Sequence, residues 1–147
     1  MNVLIIGGGK LGYYLALTLL EHKHFPVIIE DKKQICAKLA NELDIPIIYG
    51  DGTKIEVLES ANISKMDAVI SVTGKDEDNL ISCQLAKKMF SAPKTIARAN
   101  NPKNAAVMRQ LGIDITVSST DSIARLIERE VDTAAIKQLV SVDHGES

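Results

Sequence analysis

Tryptophan is absent from this 147-residue chain, and aromatic side chains make up only 3% of it, as two Phe and three Tyr. That scarcity argues against the aromatic platforms on which nucleic-acid bases stack. Nor is there an excess of positive charge. Seventeen Lys and Arg stand against 19 Asp and Glu, a net charge of −2, so attraction to a polyanion has no basis and nucleic acid is set aside as a partner. No uninterrupted apolar stretch approaches the ~18 residues of a bilayer span, and no basic leader precedes Asn2, so the chain reads as cytoplasmic, with no direct membrane insertion. Cys36 and Cys83 are the only cysteines, far apart and without a CxxC spacing. They read as small core or boundary residues, not as a disulfide framework or metal site.

A catalytic set is also missing. His22 and His24 fall at the end of the first helical pattern, away from the expected ligand crevice, and His144 lies near the last residue. No lysine stands four residues after Tyr13, Tyr14 or Tyr49, which removes the Tyr-x-x-x-Lys pair of short-chain dehydrogenases. The chain is long enough for one domain with a sizeable core, at 46% hydrophobic composition, but too short to add a separate substrate domain. A ligand bound here reads as a signal, not as a reagent, and the chain is not expected to be an enzyme.

What is present is concentrated at the start. Asn2-Val3-Leu4-Ile5-Ile6 runs into Gly7-Gly8-Gly9-Lys10-Leu11-Gly12 and then a helical pattern, followed by a second apolar run, Pro26–Ile29, that ends at Glu30. A G-x-G-x-x-G alone is weak, because glycine-rich turns occur wherever a chain reverses. Agreement of strand, loop, helix, second strand and terminal acid makes it a dinucleotide-binding fingerprint in context. In that reading Gly7 permits the tight turn, Gly9 lets backbone N–H groups approach a pyrophosphate, and Gly12 lets the helix pack closely on the strand. The helix N-terminus adds partial positive charge. Lys10 is placed to reach a phosphate as a flexible point charge. Glu30 suits the two hydroxyls of an adenosine ribose and would repel a 2′-phosphate, favouring NAD or an adenine nucleotide over NADP. Asp31 can substitute for it, and Lys32 and Lys33 weigh slightly the other way.

Short apolar runs alternate with helical patterns beyond this unit. Helices are predicted near 31–41, 54–60, 76–90 and 102–111, and strands at 46–49, 68–72, 94–98 and 113–117. Six strands with intervening helices predict a Rossmann-like doubly wound α/β parallel sheet, and right-handed crossovers together with the position of the glycine loop predict the order 3-2-1-4-5-6. Gly7–Gly9 and Thr73-Gly74 should then face each other across one crevice. Thr53 and Glu56 have capping-box spacing. Arg98 ends the fifth strand, where it can offer a planar donor fork to phosphate or carboxylate, with a surface salt bridge as its competitor. The expected organisation is a nucleotide-binding domain over 1–118, a C-terminal helix over 119–140 and a frayed tail over 141–147. Ile123, Ile127, Val131, Ala134 and Leu139 form an apolar stripe on that helix, which suits a homo-oligomer of at least two chains.

With these motifs in order, the chain resembles the N-terminal domain of the RCK, or KTN, potassium-transport regulators. The match covers residues 1 to about 135. It rests on Gly7–Gly12, Ile29-Glu30-Asp31, Tyr49–Thr53, Asp67–Leu80, Ile96–Asn100 and Leu111–Asp114. The resemblance implies a cytosolic regulatory subunit that binds NAD or NADH, with ADP or ATP as the alternative, and transmits its bound state to a membrane potassium transporter or channel. It implies that Gly7, Gly8, Gly9, Lys10, Leu11, Gly12 and Glu30 hold the nucleotide, with Asp51, Gly52, Thr73, Gly74 and Arg98 completing the site. The last helix resembles the family's crossover helix. Lys10 stands where many members carry arginine, and the second, regulatory domain of full-length regulators is absent, as in a single-domain subunit or an excised domain. The other reading is a nucleotide-binding subunit of an oxidoreductase whose catalytic residues lie on another chain.

Overall fold

The computed structural model describes residues 1–130. The elements run β1 (Asn2–Ile6), α1 (Lys10–Glu21), β2 (Phe25–Glu30), α2 (Lys33–Glu42), β3 (Ile47–Tyr49), α3 (Ile55–Ser60), a 3₁₀ turn (Ile63–Lys65), β4 (Ala68–Ser71), α4 (Asp76–Phe90), β5 (Thr95–Arg98), α5 (Asn104–Gln110) and β6 (Ile115–Val117). Residues 119–130 are helical and are called α6. Val131, Ala134, Leu139 and the predicted tail lie outside the described residues.

The strands form one six-stranded sheet in the order β3-β2-β1-β4-β5-β6, every neighbouring pair parallel, as crossover handedness and the place of the glycine loop predict. β1 sits near the middle and shows why its run is apolar throughout. Val3 and Ile5 pack with Ala16, Ile28 and Leu39 on one face, whereas Leu4 and Ile6 pack with Ile29, Leu58 and Val69 on the other. Side chains alternate across a strand, so a strand covered on both faces must be apolar at every position. Each such aliphatic side chain contributes roughly 1.5–3 kcal/mol on burial.

Several predicted boundaries shift by one or two residues, α5 and β6 starting at Asn104 and Ile115, and two departures have identifiable reasons. α2 begins at Lys33 and not near Asp31, because Lys32 is extended and its N–H donates to Glu30 Oε2 at 2.7 Å. The capping box at Thr53 and Glu56 does not form. Thr53 instead donates its N–H and hydroxyl to Asp51 Oδ1, at 2.9 and 2.7 Å, and the N-cap of α3 is Lys54, which makes no side-chain cap bond. Ser118 caps α6, its Oγ accepting from the Asp121 N–H at 3.2 Å.

The far edge of the sheet is tied by an ion pair. Lys87 of α4 donates to both oxygens of Asp114 at 2.8 and 2.6 Å, while the Thr95 N–H and hydroxyl approach Asp114 Oδ2 at 2.8 and 3.0 Å. The Lys87 ammonium, opposed by burial and joined by the Thr95 donors, holds the Asp114 carboxyl below its ordinary value. A carboxyl depressed in the folded state contributes stability that is complete above its unfolded value near 3.9 and is lost as pH falls through the folded value. Asp114→Asn is therefore expected to lower the melting temperature at pH 6, with the gap to the wild type closing as pH falls below about 4. Thermal unfolding across pH 2.5–7 checks this; a gap independent of pH would remove the ion pair as its cause.

Candidate functional site

One cleft of about 450 Å³ opens over the carboxyl ends of the central strands. That volume lies within the ~300–1,000 Å³ range of small-ligand sites, and its place is the switch point where the strand order reverses. Its walls come from four connections: the glycine loop after β1, the turn after β2, the β3–α3 loop, and the β4–α4 loop with the end of β5.

The glycine loop divides its labour among its glycines. Gly7 has φ +112°, the left-handed region that glycine favours, and a Cβ there would stand 3.1 Å from the Thr73 nitrogen across the crevice. A Cβ on Gly12 would drive into the Gly7 carbonyl, so α1 packs this close to β1 only without one. At Gly9 a Cβ would meet nothing within 4 Å, because that position faces the open cleft. Gly9 is the N-cap of α1 and carries no side-chain cap bond. The first amides of the helix have no intrahelical partner, which leaves donors where an anion would sit.

Glu30 is buried, 7% exposed, and both its oxygens are engaged. Oε1 accepts from the Gly8 N–H and Oε2 from the Lys32 N–H, each at 2.7 Å. The carboxylate thus fixes the glycine loop to the β2–α2 turn while lining the cleft. An ionised carboxylate has about four acceptor positions, so two remain for the hydroxyls of a ribose.

Of the twelve residues predicted for the site, ten line the cleft: Gly7, Gly9, Lys10, Leu11, Glu30, Asp51, Gly52, Thr73, Gly74 and Arg98. Gly8 and Gly12 are not on its wall. The Gly8 amide is committed to Glu30, and a Cβ there would come 2.6 Å from Leu39; Gly12 is spent on the helix–strand contact. Asp51 is exposed, and the Thr53 hydroxyl and N–H hold its carboxyl below the usual range. Arg98 makes no ion pair among the described residues, where the salt bridges are Lys87–Asp114 and Arg125–Asp121, so the competing surface pair is not formed.

Two residues that matter to this geometry escaped the motif reading. Ser82 is fully buried and donates to the Gly52 carbonyl at 2.8 Å, holding the β3–α3 loop against α4. Asn79, also fully buried, bonds to Ser71, Thr73 and Arg98. A signal existed. Asn79, Ser82, Cys83 and Ala86 are the buried residues of α4, spaced as one helical stripe, and polar groups in a buried stripe need partners. Asp76 likewise does more than suit the helix N-terminus, accepting from the Asn100, Asn101 and Asn104 nitrogens and so tying α4 to the β5–α5 loop.

A doubly wound sheet with a glycine loop and an acid at the end of β2 defines the class of Rossmann-like domains. More specifically, the TrkA-N domain model matches residues 3–119, and the chain belongs to that family. A Trk system potassium uptake protein TrkA homolog from Methanothermobacter thermautotrophicus is 39% identical over 147 residues, covering 100% of this chain and 68% of that one. The chain spans only 32% of TrkA homolog 2 from Methanosarcina mazei, at 34% identity across 97% of its own length. Among solved structures, the TrkA-N domain of the inner membrane protein ybaL from Escherichia coli shares the fold at a TM-score of 0.79, with 20% identity, 87% of this chain and 94% of that chain. The GsuK channel bound to NAD is similar at a TM-score of 0.71, 22% identity, 79% of this chain and 21% of that one. GsuK bound to ADP gives 0.74, 25%, 86% and 32%.

Proposed function

We propose that this chain is a nucleotide-sensing regulatory domain of a potassium uptake system or channel, binding NAD or NADH, or alternatively ADP or ATP, and passing its bound state to a membrane ion-conducting partner. The observation that carries the reading is the cleft itself: on a TrkA-N chain, an open glycine position stands beside a buried carboxylate with acceptor capacity to spare. The residues fit such a ligand. Gly7, Gly9, Lys10 and Leu11 would face phosphate, Glu30 a ribose, and Asp51, Gly52, Thr73, Gly74 and Arg98 the remaining rim. The named ligands of the GsuK structures and the potassium uptake proteins among the relatives support the same assignment.

No reaction is assigned to the chain. Among the described residues lining the cleft there is no histidine, cysteine or tyrosine to act as an acid, base or nucleophile. No described helix is long and apolar enough to cross a membrane, which suits a domain that acts on its transporter through contact. Titration calorimetry with NAD, NADH, NADP, ADP and ATP tests the reading. NADH or an adenine nucleotide is expected to bind at micromolar concentration and NADP more weakly. Absence of binding by all five at millimolar concentration, or steady NADH turnover by the chain alone, overturns it.

A homo-oligomer of at least two chains belongs to this proposal. Ile123, Leu126 and Ile127 on α6 are 56–58% exposed, so the described part of the helix does not bury its apolar side chains on its own domain. A second copy covers such a face symmetrically, at roughly 1.5–3 kcal/mol for each large aliphatic side chain buried. Ile123→Asp with Ile127→Asp is expected to shift the chain to monomer in light scattering while nucleotide affinity stays within about twofold; an unchanged mass removes α6 from the interface.

A further inference from the structure

We infer that Asn79 is a positioning residue for one half of the cleft: without touching the ligand, it holds Thr73 and Arg98 where the part of a dinucleotide beyond the pyrophosphate is received. The inference rests on the nucleotide reading and deepens it. Asn79 lies on the buried face of α4 and is not part of the cleft wall, whereas Thr73 and Arg98 are. Its Oδ1 accepts from the Thr73 N–H at 2.9 Å, the Thr73 hydroxyl at 2.7 Å and the Ser71 hydroxyl at 2.9 Å. Its Nδ2 donates to the Thr73 carbonyl at 3.1 Å and the Arg98 carbonyl at 2.9 Å. One carboxamide therefore joins the loop after β4 to the end of β5. Asn100 donates to the same Thr73 carbonyl at 3.0 Å and continues the connection to Asp76.

These bonds go mainly to backbone, and that is why the residue sets geometry. The Thr73 hydroxyl is itself held by the carboxamide, the Arg98 side chain is left to the cleft, and the carboxamide decides where both main chains stand. Water cannot replace it in a fully buried position, so truncation would leave the Thr73 and Arg98 groups to find new partners by moving.

Different side chains fasten the two sides of the cleft. On the β2 side the fastener is Glu30, bonded to the Gly8 and Lys32 amides; on the β4 side it is Asn79. A mononucleotide seated on the glycine loop and Glu30 uses the first side alone, whereas a dinucleotide crosses the loop to the second. Loss of Asn79 should consequently divide the two ligands, which a general loss of folding would not do.

The experiment compares NADH and AMP by titration calorimetry on the wild type, Asn79→Ala and Ser71→Ala, with thermal unfolding of each. Ser71 lines no part of the cleft and gives one buried hydrogen bond to the same carboxamide, so Ser71→Ala loses a comparable bond while Thr73 and Arg98 stay held. The expected result is a loss of roughly tenfold or more in NADH affinity for Asn79→Ala, with AMP within about twofold and both ligands near wild type for Ser71→Ala. If Asn79→Ala does not fold, Asn79→Ser, whose shorter hydroxyl cannot span Thr73 and Arg98, is read the same way. Equal losses for NADH and AMP, no loss for either, or an equal division in Ser71→Ala would each overturn the positioning role. Wild type that binds AMP and NADH equally refutes the β4-side half alone; wild type that binds neither refutes the nucleotide reading beneath it.

Discussion

Gly9→Val is expected to leave the domain folded and to lower NADH affinity at least 100-fold, while the smaller change Gly12→Ala damages the fold first. The contrast follows from what each new side chain meets. Gly9 has φ −71° and ψ −165°, an extended conformation open to any residue, and its Cβ points into space with nothing within 4 Å. A valine there costs about 1 kcal/mol as a poorer N-cap, but it occupies the place where phosphate oxygens must approach the first amides of α1. At Gly12 a single methyl drives into the Gly7 carbonyl, and backbone cannot swing aside as a side chain does. Overpacking of this kind costs typically 1–3 kcal/mol, and a contact with main chain belongs at the upper end. In a domain of this size ~3 kcal/mol lowers the melting temperature by roughly 6–12 °C. Calorimetry beside thermal unfolding separates the two variants. Full NADH affinity in Gly9→Val would refute the placement of the ligand over the loop, and an unchanged melting temperature in Gly12→Ala would refute the tight helix–strand contact.

Glu30→Gln is expected to be nearly as harmful as Glu30→Ala, although it conserves shape. Each carboxylate oxygen takes a backbone N–H, one from Gly8 and one from Lys32. A carboxamide offers one acceptor and one NH₂, so in either orientation a donor is set against a donor. Hydrogen bonds to a charged group are worth about 1.5–3 kcal/mol, and an unpaired buried N–H adds a further penalty. Both variants should therefore lose stability as well as about 10- to 100-fold in NADH affinity. The sequence alone suggests a loss of binding with the fold untouched; the two backbone bonds are what add the stability cost. A Glu30→Gln protein with wild-type melting temperature and affinity would show that the carboxylate is not shared between loop and ligand.

Much of the architecture was legible along the chain because it is periodic or local. α4 spans Asp76–Phe90, the range its pattern predicts, and β1 spans Asn2–Ile6. Strand order followed from the handedness of crossovers taken together with the glycine loop after the first strand, which places that strand at the switch point of the sheet. The glycine loop, Glu30 and the Thr73-Gly74 turn were found because each is a short motif at a fixed place on an element. Thr53 shows the limit of such reasoning. Its spacing to Glu56 fits a capping box, yet the closer Asp51 carboxylate takes both its donors, a competition that spacing does not encode.

By itself, then, the sequence determined a doubly wound sheet, the strand ends at which its cleft opens, and ten of the residues on that cleft's wall. Only the tertiary structure decided how those residues are held. Gly8 is bonded to a carboxylate 22 residues away, Gly52 to a hydroxyl 30 away and the Arg98 carbonyl to an amide 19 away. It also decided that Gly8 and Gly12 stand behind the wall and that α6 leaves Ile123, Leu126 and Ile127 uncovered. The reason is physical. Hydrophobic period and turn chemistry are set by neighbours in the chain, whereas a buried polar group takes whichever partner the packed sheet brings within hydrogen-bond reach.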